Sequence, residues 1–245
     1  MIADAAPSAS APVVLLVHGI GMSHRYLRGL RRELARSATV LSVDLPGYGG
    51  MPKPGRDVDI DTMAAALTVA LRRLRIGTAT LVGHSMGAQW VVEAARRDPA
   101  VAGRVVLVGP VADDRHRNVR AQAVALAADT LRESPRVNAM VFSDYLRCGP
   151  RWYVTQLRHM IAYPLEERVR CLQMPVMVVR GSRDPIAGPE WCRRLAAAAP
   201  RGTVVEIAGG AHVVHEHSPA ATATAILDAG VRHAEREGPI RRRGL

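Results

Sequence analysis

Lysine is almost missing from this sequence. Lys53 is the only one in 245 residues, so the formal net charge of +11 rests on arginine. A surplus of that size is compatible with a nucleic-acid or acidic-membrane partner. The arginines, however, are scattered over several helical segments among Asp and Glu, and the one run, Arg241-Arg242-Arg243, lies in the tail. That distribution predicts a solvated, arginine-rich surface and no nucleic-acid partner. Aromatic residues are scarce at 4%, so the core must be mostly Ala, Val and Leu. Cys148, Cys171 and Cys192 are an odd number without C-x-x-C spacing. They point to neither a disulfide framework nor a zinc site, and fit reduced thiols in a cytoplasmic protein. No apolar run approaches the ~18 residues of a membrane span, so no stable membrane insertion is expected. The first residues carry Asp4 where a secretory signal would be basic. The stretch before Pro12 reads as a short disordered lead-in.

What the sequence does have is alternation. Apolar, β-branched runs at 12–17, 39–43, 78–82, 104–108, 175–180 and 203–207 predict strands. Most are nearly continuous in apolar character, as strands buried on both faces are. Helical patterns follow several of them, among them about 61–75, 88–96, 190–198 and 219–236. In the last of these Ile226, Leu227 and Val231 fall on the inward face. Strands alternating with helices of 10–15 residues predict βαβ units and a parallel sheet. The alternation breaks between about 113 and 172, where only helical stretches can be read, interrupted by Ser134-Pro135, Gly149-Pro150 and Tyr163-Pro164. Most of the aromatics gather there: Phe142, Tyr145, Trp152, Tyr153 and Tyr163. An insertion of this kind predicts a helical cap over one edge of the sheet.

One turn organises the rest. Gly83-His84-Ser85-Met86-Gly87 lies between the strand at 78–82 and the helix at 88–96, and it fits the G-x-S-x-G nucleophile elbow. Such a turn is strained and brings backbones close together, which is why its flanks are glycine. Ser85 then presents its hydroxyl beyond the C-terminal end of a buried strand. A serine hydroxyl is a weak nucleophile at neutral pH and needs a histidine to take its proton. The histidine in turn needs a carboxylate on its other nitrogen.

Five ordered segments, His18-Gly19, Asp44-Leu45-Pro46-Gly47-Tyr48-Gly49, Gly83-His84-Ser85-Met86-Gly87, Gly181-Ser182-Arg183-Asp184 and Gly210-Ala211-His212, resemble the α/β-hydrolase superfamily. The resemblance is to its single-chain group with a helical cap, and it spans about residues 12–229. It implies a mostly parallel α/β sheet with helices on both faces, a core formed by 1–112 and 173–245, and a cap at 113–172. Members usually begin with an antiparallel hairpin. The residues before Pro12 are too few to supply one, so a shortened sheet of about six strands is expected.

The resemblance also orders the chemistry. Ser85, Asp184 and His212 follow the Ser, Asp, His order of this fold. His215 is the rival base, and Asp113 and Asp114 are rival acids after the preceding strand. His18 and His84 are expected to brace turns beside the site. His24, His116, His159 and His233 are expected at the surface. Met86, directly after the nucleophile, should donate one oxyanion N–H, and the resemblance places the other at Ile20. Trp152, Tyr153 and Met160 are candidate walls of an acyl pocket. The implied activity is hydrolysis of a carboxylic ester or related acyl bond in a small molecule, through an acyl-enzyme, with no metal or organic cofactor. C–C bond hydrolysis, lyase chemistry, and a slow or non-catalytic receptor are the alternatives on the same fold. A neutral histidine base predicts activity rising with pH through an ionisation near 6 to 7, about the unperturbed value.

Overall fold

The computed structural model describes residues 1–4 and 11–236, with side chains up to residue 228. Arg241-Arg242-Arg243 and the side chains of Val231 and His233 lie outside the described residues. Among these residues the strands are β1 Ile2–Asp4, β2 Val13–Val17, β3 Thr39–Val43, β4 Ala79–His84, β5 Ala102–Val108, β6 Val176–Gly181 and β7 Gly202–Ile207. They form one sheet in the order β1-β3-β2-β4-β5-β6-β7. Every pairing is parallel except that of β1, which runs antiparallel to β3 with Ile2 opposite Ser42.

The sheet therefore has seven strands where about six were expected, and part of the expected lead-in is a strand. Three residues carry too short a pattern to be read from sequence. What stabilises β1 is the open edge of β3, whose backbone groups need partners, together with the ion pair from Arg31 to Asp4.

Continuous apolar runs suit this sheet because both faces are covered. Val14 and Leu16 of β2 enter a cluster with Leu27, Leu30 and Leu34 of helix α1 (Arg28–Leu34 and the turn before it) and with Ile226 of α10 (Pro219–Arg236). Leu15 and Val17 enter the opposite cluster, with Met63 and Leu67 of α2 (Ile60–Arg73), Trp90 of α3 (Gly87–Arg97) and Leu195 of α8 (Pro189–Ala198). Side chains of successive strand residues point to opposite faces, so the central strands β2 to β6 each feed two cores.

Between β5 and β6 the chain forms a helical insertion: α4 (Val119–Thr130), α5 (Pro135–Cys148), α6 (Pro150–Ala162) and the short α7 (Leu165–Arg168). Ser134 and Asn118 cap α5 and α4 through their side chains, and Pro135 and Pro150 open α5 and α6, where a missing N–H costs nothing. A second short helix, α9 (Val214–His217), follows β7. The sheet order reverses around β2, with β3 on one side and β4 on the other. Open parallel sheets bind ligands outside the strand C-termini at such a reversal.

Candidate active site

Ser85 directly follows β4 and has φ +57°, a left-handed conformation that costs a non-glycine residue about 1–3 kcal/mol. Its surroundings hold it there. The Ser85 N–H donates to Val108 O at 2.9 Å, and the turn passes straight into α3 with Ala88 N–H on Ser85 O at 3.1 Å. A Cβ at Gly83 would lie 2.2 Å from Gly87 O, and one at Gly87 would lie 2.5 Å from His18 O. Glycine at both positions is therefore a steric requirement, as the spacing predicts.

His212 lies in the loop after β7, and its Nδ1 is 3.0 Å from Asp184 Oδ2. The other oxygen of Asp184 accepts the N–H groups of Ile186 and Ala187 at 2.8 and 2.9 Å. Burial pushes Asp184 up, but the charge and hydrogen bond of His212 and these two N–H groups hold it below the usual carboxylate value. The loop is braced from β6 by buried Arg180, whose Nε donates to Ala187 O at 2.8 Å. Burial alone would lower the His212 pKa. The charge and hydrogen bond of Asp184, with the charges of Asp129 and Glu133, outweigh it and raise the imidazole to about 9. This departs from the 6 to 7 expected from sequence, first because Asp184 is bonded to the buried imidazole, and further because the insertion adds two carboxylates that the sequence does not reveal. Gly109, after β5, lies beneath the pair; a Cβ there would be 3.0 Å from His212 Cε1 and 3.3 Å from Asp184 Oδ2.

The other histidines divide cleanly. His84 Nε2 donates to His212 O at 3.0 Å, and its Nδ1 accepts from Tyr26 Oη, which itself accepts the Gly19 N–H at 2.8 Å. A carbonyl can only accept, which fixes this tautomer. Burial and the neighbouring His215 and His212 hold His84 well below its ordinary pKa, so it stays neutral and ties the loop after β2 to the loop after β7. His18 does the same between β2 and β3: Nδ1 donates to Gly19 O at 2.8 Å and Nε2 accepts the Leu45 N–H at 3.2 Å. His215 packs edge-on against Tyr26 and His84, and burial and the His212 charge push it down to about 3. It makes no hydrogen bond to an acid among the described residues. Asp113 and Asp114 pair with Arg194. His24 is partly buried on Asp44, and His159 pairs with Asp57.

Ser85 and His212 open into one cavity of about 210 Å³. Its walls are largely apolar: Ile20 and Met22 from the loop after β2, Val119, Ala123 and Leu126 from α4, and Leu157 and Met160 from α6. Tyr153 and Met160, expected at the wall, are there. Trp152 is not. Its indole covers Gly47, where a Cβ would come within 2.5 Å of the ring, and lies 6.3 Å from the Tyr48 ring. On α6 it is the neighbour of Tyr153, and one step around a helix turns a side chain by about 100°, toward a different surface. Ile20 and Met86 are both buried, and neither N–H is hydrogen-bonded to another described residue. Among the described residues no group of three or more His, Cys, Asp and Glu is arranged to hold a metal ion.

Residues 14–225 match the alpha/beta hydrolase family. The chain belongs to that family. The esterase YbfF of Escherichia coli is 25% identical, over 89% of this chain and 92% of its own. An uncharacterised Mycobacterium tuberculosis protein is 35% identical, but over 99 residues, which is 40% of this chain and 29% of the mycobacterial one. Among solved structures, a thermophilic esterase from Thermogutta terrifontis superposes with a TM-score of 0.79 at 22% identity, over 94% of this chain and 92% of the other. That likeness is one of fold. No helix of this α/β-hydrolase family member, among the described residues, is long and apolar enough to cross a membrane.

Two residues of the site are invisible to motif reading. Asp129 and Glu133 come from the insertion and reach the backbone of the His212 loop. The one sequence signal is position: Asp129 falls on the same helical face as Val119, Gln122 and Leu126, at spacings of three and four.

Proposed function

We propose that this α/β hydrolase is a serine esterase that cleaves small carboxylic esters with a neutral, apolar acyl group through an acyl-enzyme. One observation carries the reading. Ser85, held at φ +57° after β4, and His212, bonded through Nδ1 to Asp184, face the same apolar cavity. In the proposed reaction Ser85 Oγ attacks the ester carbonyl while His212 Nε2 takes its proton and returns it to the departing alcohol. Asp184 keeps the Nδ1–H in place and stabilises the imidazolium. The N–H groups of Ile20 and Met86 hold the oxyanion, each donor contributing about 10²–10³ in rate. Water then cleaves the acyl-enzyme by the reverse sequence, so the groups of the chain suffice without a metal or organic cofactor.

Residues 113–172 act as the cap that supplies the acyl walls. The preference for a neutral acyl group follows from the lining, where apolar side chains surround one carboxylate, Asp129, and no arginine or lysine. An anionic acyl group would be buried there among apolar walls beside the Asp129 carboxylate, with no arginine or lysine to pair with it, at a cost of several kcal/mol. The test is a panel of nitrophenyl esters, neutral and ω-carboxylated, of matched chain length. Hydrolysis of the neutral series that is lost in Ser85→Ala supports the reading; turnover that survives Ser85→Ala refutes it.

A further inference from the structure

Helix α4 is twelve residues long, and Asp129 is its one buried residue. Its apolar side chains line the cavity or face solvent, so the helix reaches the interior through an acid. Asp129 Oδ1 accepts the N–H of His212 at 3.0 Å. One turn further, buried Glu133 accepts the N–H of the next residue, Val213, also at 3.0 Å, while its second oxygen pairs with His217. Two consecutive backbone donors of the loop that carries the histidine are thus held by the insertion and not by the sheet.

Nothing in the proposed reaction accounts for these acids, because Asp184 already satisfies His212 Nδ1. A carboxylate beside an apolar cavity is costly to bury, and simple packing of α4 would be served by leucine. Each acid gives one oxygen to the backbone of the same loop, and Glu133 gives its other to His217 on α9 just beyond it.

We infer that Asp129 and Glu133 are positioning residues, a two-carboxylate clamp by which the helical insertion sets the backbone of the His212 loop, so that the base is aligned with Ser85 when α4 is seated over the cavity. The inference rests on the reading of Ser85 and His212 as nucleophile and base. The clamp makes the insertion part of the proton-transfer apparatus as well as a wall of the pocket. Electrostatics agree with the geometry. Burial pushes Asp129 up to about 6, partly offset by the charge and N–H of His212, and Asp129 and Glu133 both raise His212. The titratable groups around the pair are Asp184 after β6, Tyr145 on α5, His84 at the end of β4, and His215 and His217 on α9.

The experiment compares Asp129→Ala, Asp129→Asn, Glu133→Gln and the parent on a short neutral nitrophenyl ester across pH, with Ser85 labelling by a fluorophosphonate measured alongside. Asp129→Ala should lower kcat by about tenfold or more while KM changes little, the signature of a misaligned base. Asp129→Asn keeps an acceptor for the His212 N–H but removes the charge. It should recover most of kcat at high pH and move the acid limb to lower pH by about one unit, since an imidazolium that loses a neighbouring anion gives up its proton more readily. Glu133→Gln should move the limb in the same direction by less.

If Asp129→Ala does not fold, Glu133→Ala, which removes the acceptor of the Val213 N–H, decides through kcat in its place. A folded variant lacking an acceptor that keeps the parent kcat, with a parent that labels at Ser85, overturns the clamp and leaves the esterase reading intact. A parent that does not label at Ser85 overturns the esterase reading, and the clamp with it.

Discussion

The sheet and the insertion are attached to the site by different kinds of force. In the sheet, the strands that carry Ser85 and Asp184 are buried on both faces, and side chains such as Leu15, Val105 and Val178 have no exposure. The insertion keeps several large apolar side chains in solvent, with Leu131 89%, Val124 70% and Phe142 64% exposed. Beside buried apolar anchors such as Trp152, Met160 and Leu165, it buries several polar side chains that bond to other parts of the chain. Asp129 and Glu133 hold the His212 loop, Asp144 accepts from Ser23 Oγ at 2.6 Å, and Gln156 donates to Val58 O at 2.8 Å. From the core side, Gln89 donates to Met160 O at 2.8 Å and Glu93 accepts from Tyr163 Oη at 2.9 Å. Apolar packing seats the strands, and close glycine contacts with backbone hydrogen bonds fix the nucleophile and its acid at the strand ends. Directional bonds dock the insertion at a few points, so its placement depends on those points being satisfied.

The sharpest way to break this comparison is to remove one group from each region. Ser85→Ala should lower ester turnover by about 10⁶ with no loss of thermal stability, because it deletes the nucleophile and leaves the packed elbow intact. Trp152→Ala should do the opposite. Buried against Gly47 and Tyr48 and outside the cavity, it anchors α6, and its loss should cost roughly 3 kcal/mol or more in denaturant unfolding. The ranking of acyl chain lengths should stay as it is in the parent. A changed ranking would place Trp152 in the pocket after all.

The pH profile sharpens the comparison further. His212 is raised to about 9 by acids from both regions, Asp184 from the sheet and Asp129 and Glu133 from the insertion. A raised pKa means the proton is retained at higher pH, so the neutral base appears late and kcat/KM should climb through a midpoint above 6.5. A midpoint at or below 6.5 would show that the acids around His212, Asp184 first among them, do not raise the base. The smallest effect is expected from the cavity wall. Leu126→Ala on α4 should favour longer acyl chains by about 1–3 kcal/mol per methylene accommodated, measured as a shift in kcat/KM across an ester series, with stability little changed.

The same contrast explains what could be read from the sequence. Strands 39–43 and 104–108, the elbow at Ser85 and the turn at Asp184 were legible because close-packed parallel sheets permit few residue types at each place: continuous Val and Leu, and glycine where backbones nearly touch. The insertion was legible as helices and no further. Its attachments run from single polar side chains to backbone groups distant in the chain, and a backbone N–H leaves no signature in the residue that carries it. Asp129 reads as a solvent-facing acid in an alanine-rich helix until the His212 loop is brought beneath it. Trp152 was placed in the pocket because aromatics collect in the insertion, yet Tyr153 beside it faces the cavity and Trp152 faces the Gly47 loop. Composition says which residues an element has, and the side they take depends on how that element is rotated.

The account depends most on Ser85 being an activated nucleophile served by His212. Its most direct measurement is mass-spectrometric mapping of the adduct formed by a small fluorophosphonate on the folded protein at pH 8. The account predicts a single adduct on the peptide containing Ser85, absent in Ser85→Ala and greatly slowed in His212→Ala, which leaves the elbow in place and removes the base. An adduct on another residue, or labelling of Ser85 at the parent rate in His212→Ala, would contradict it.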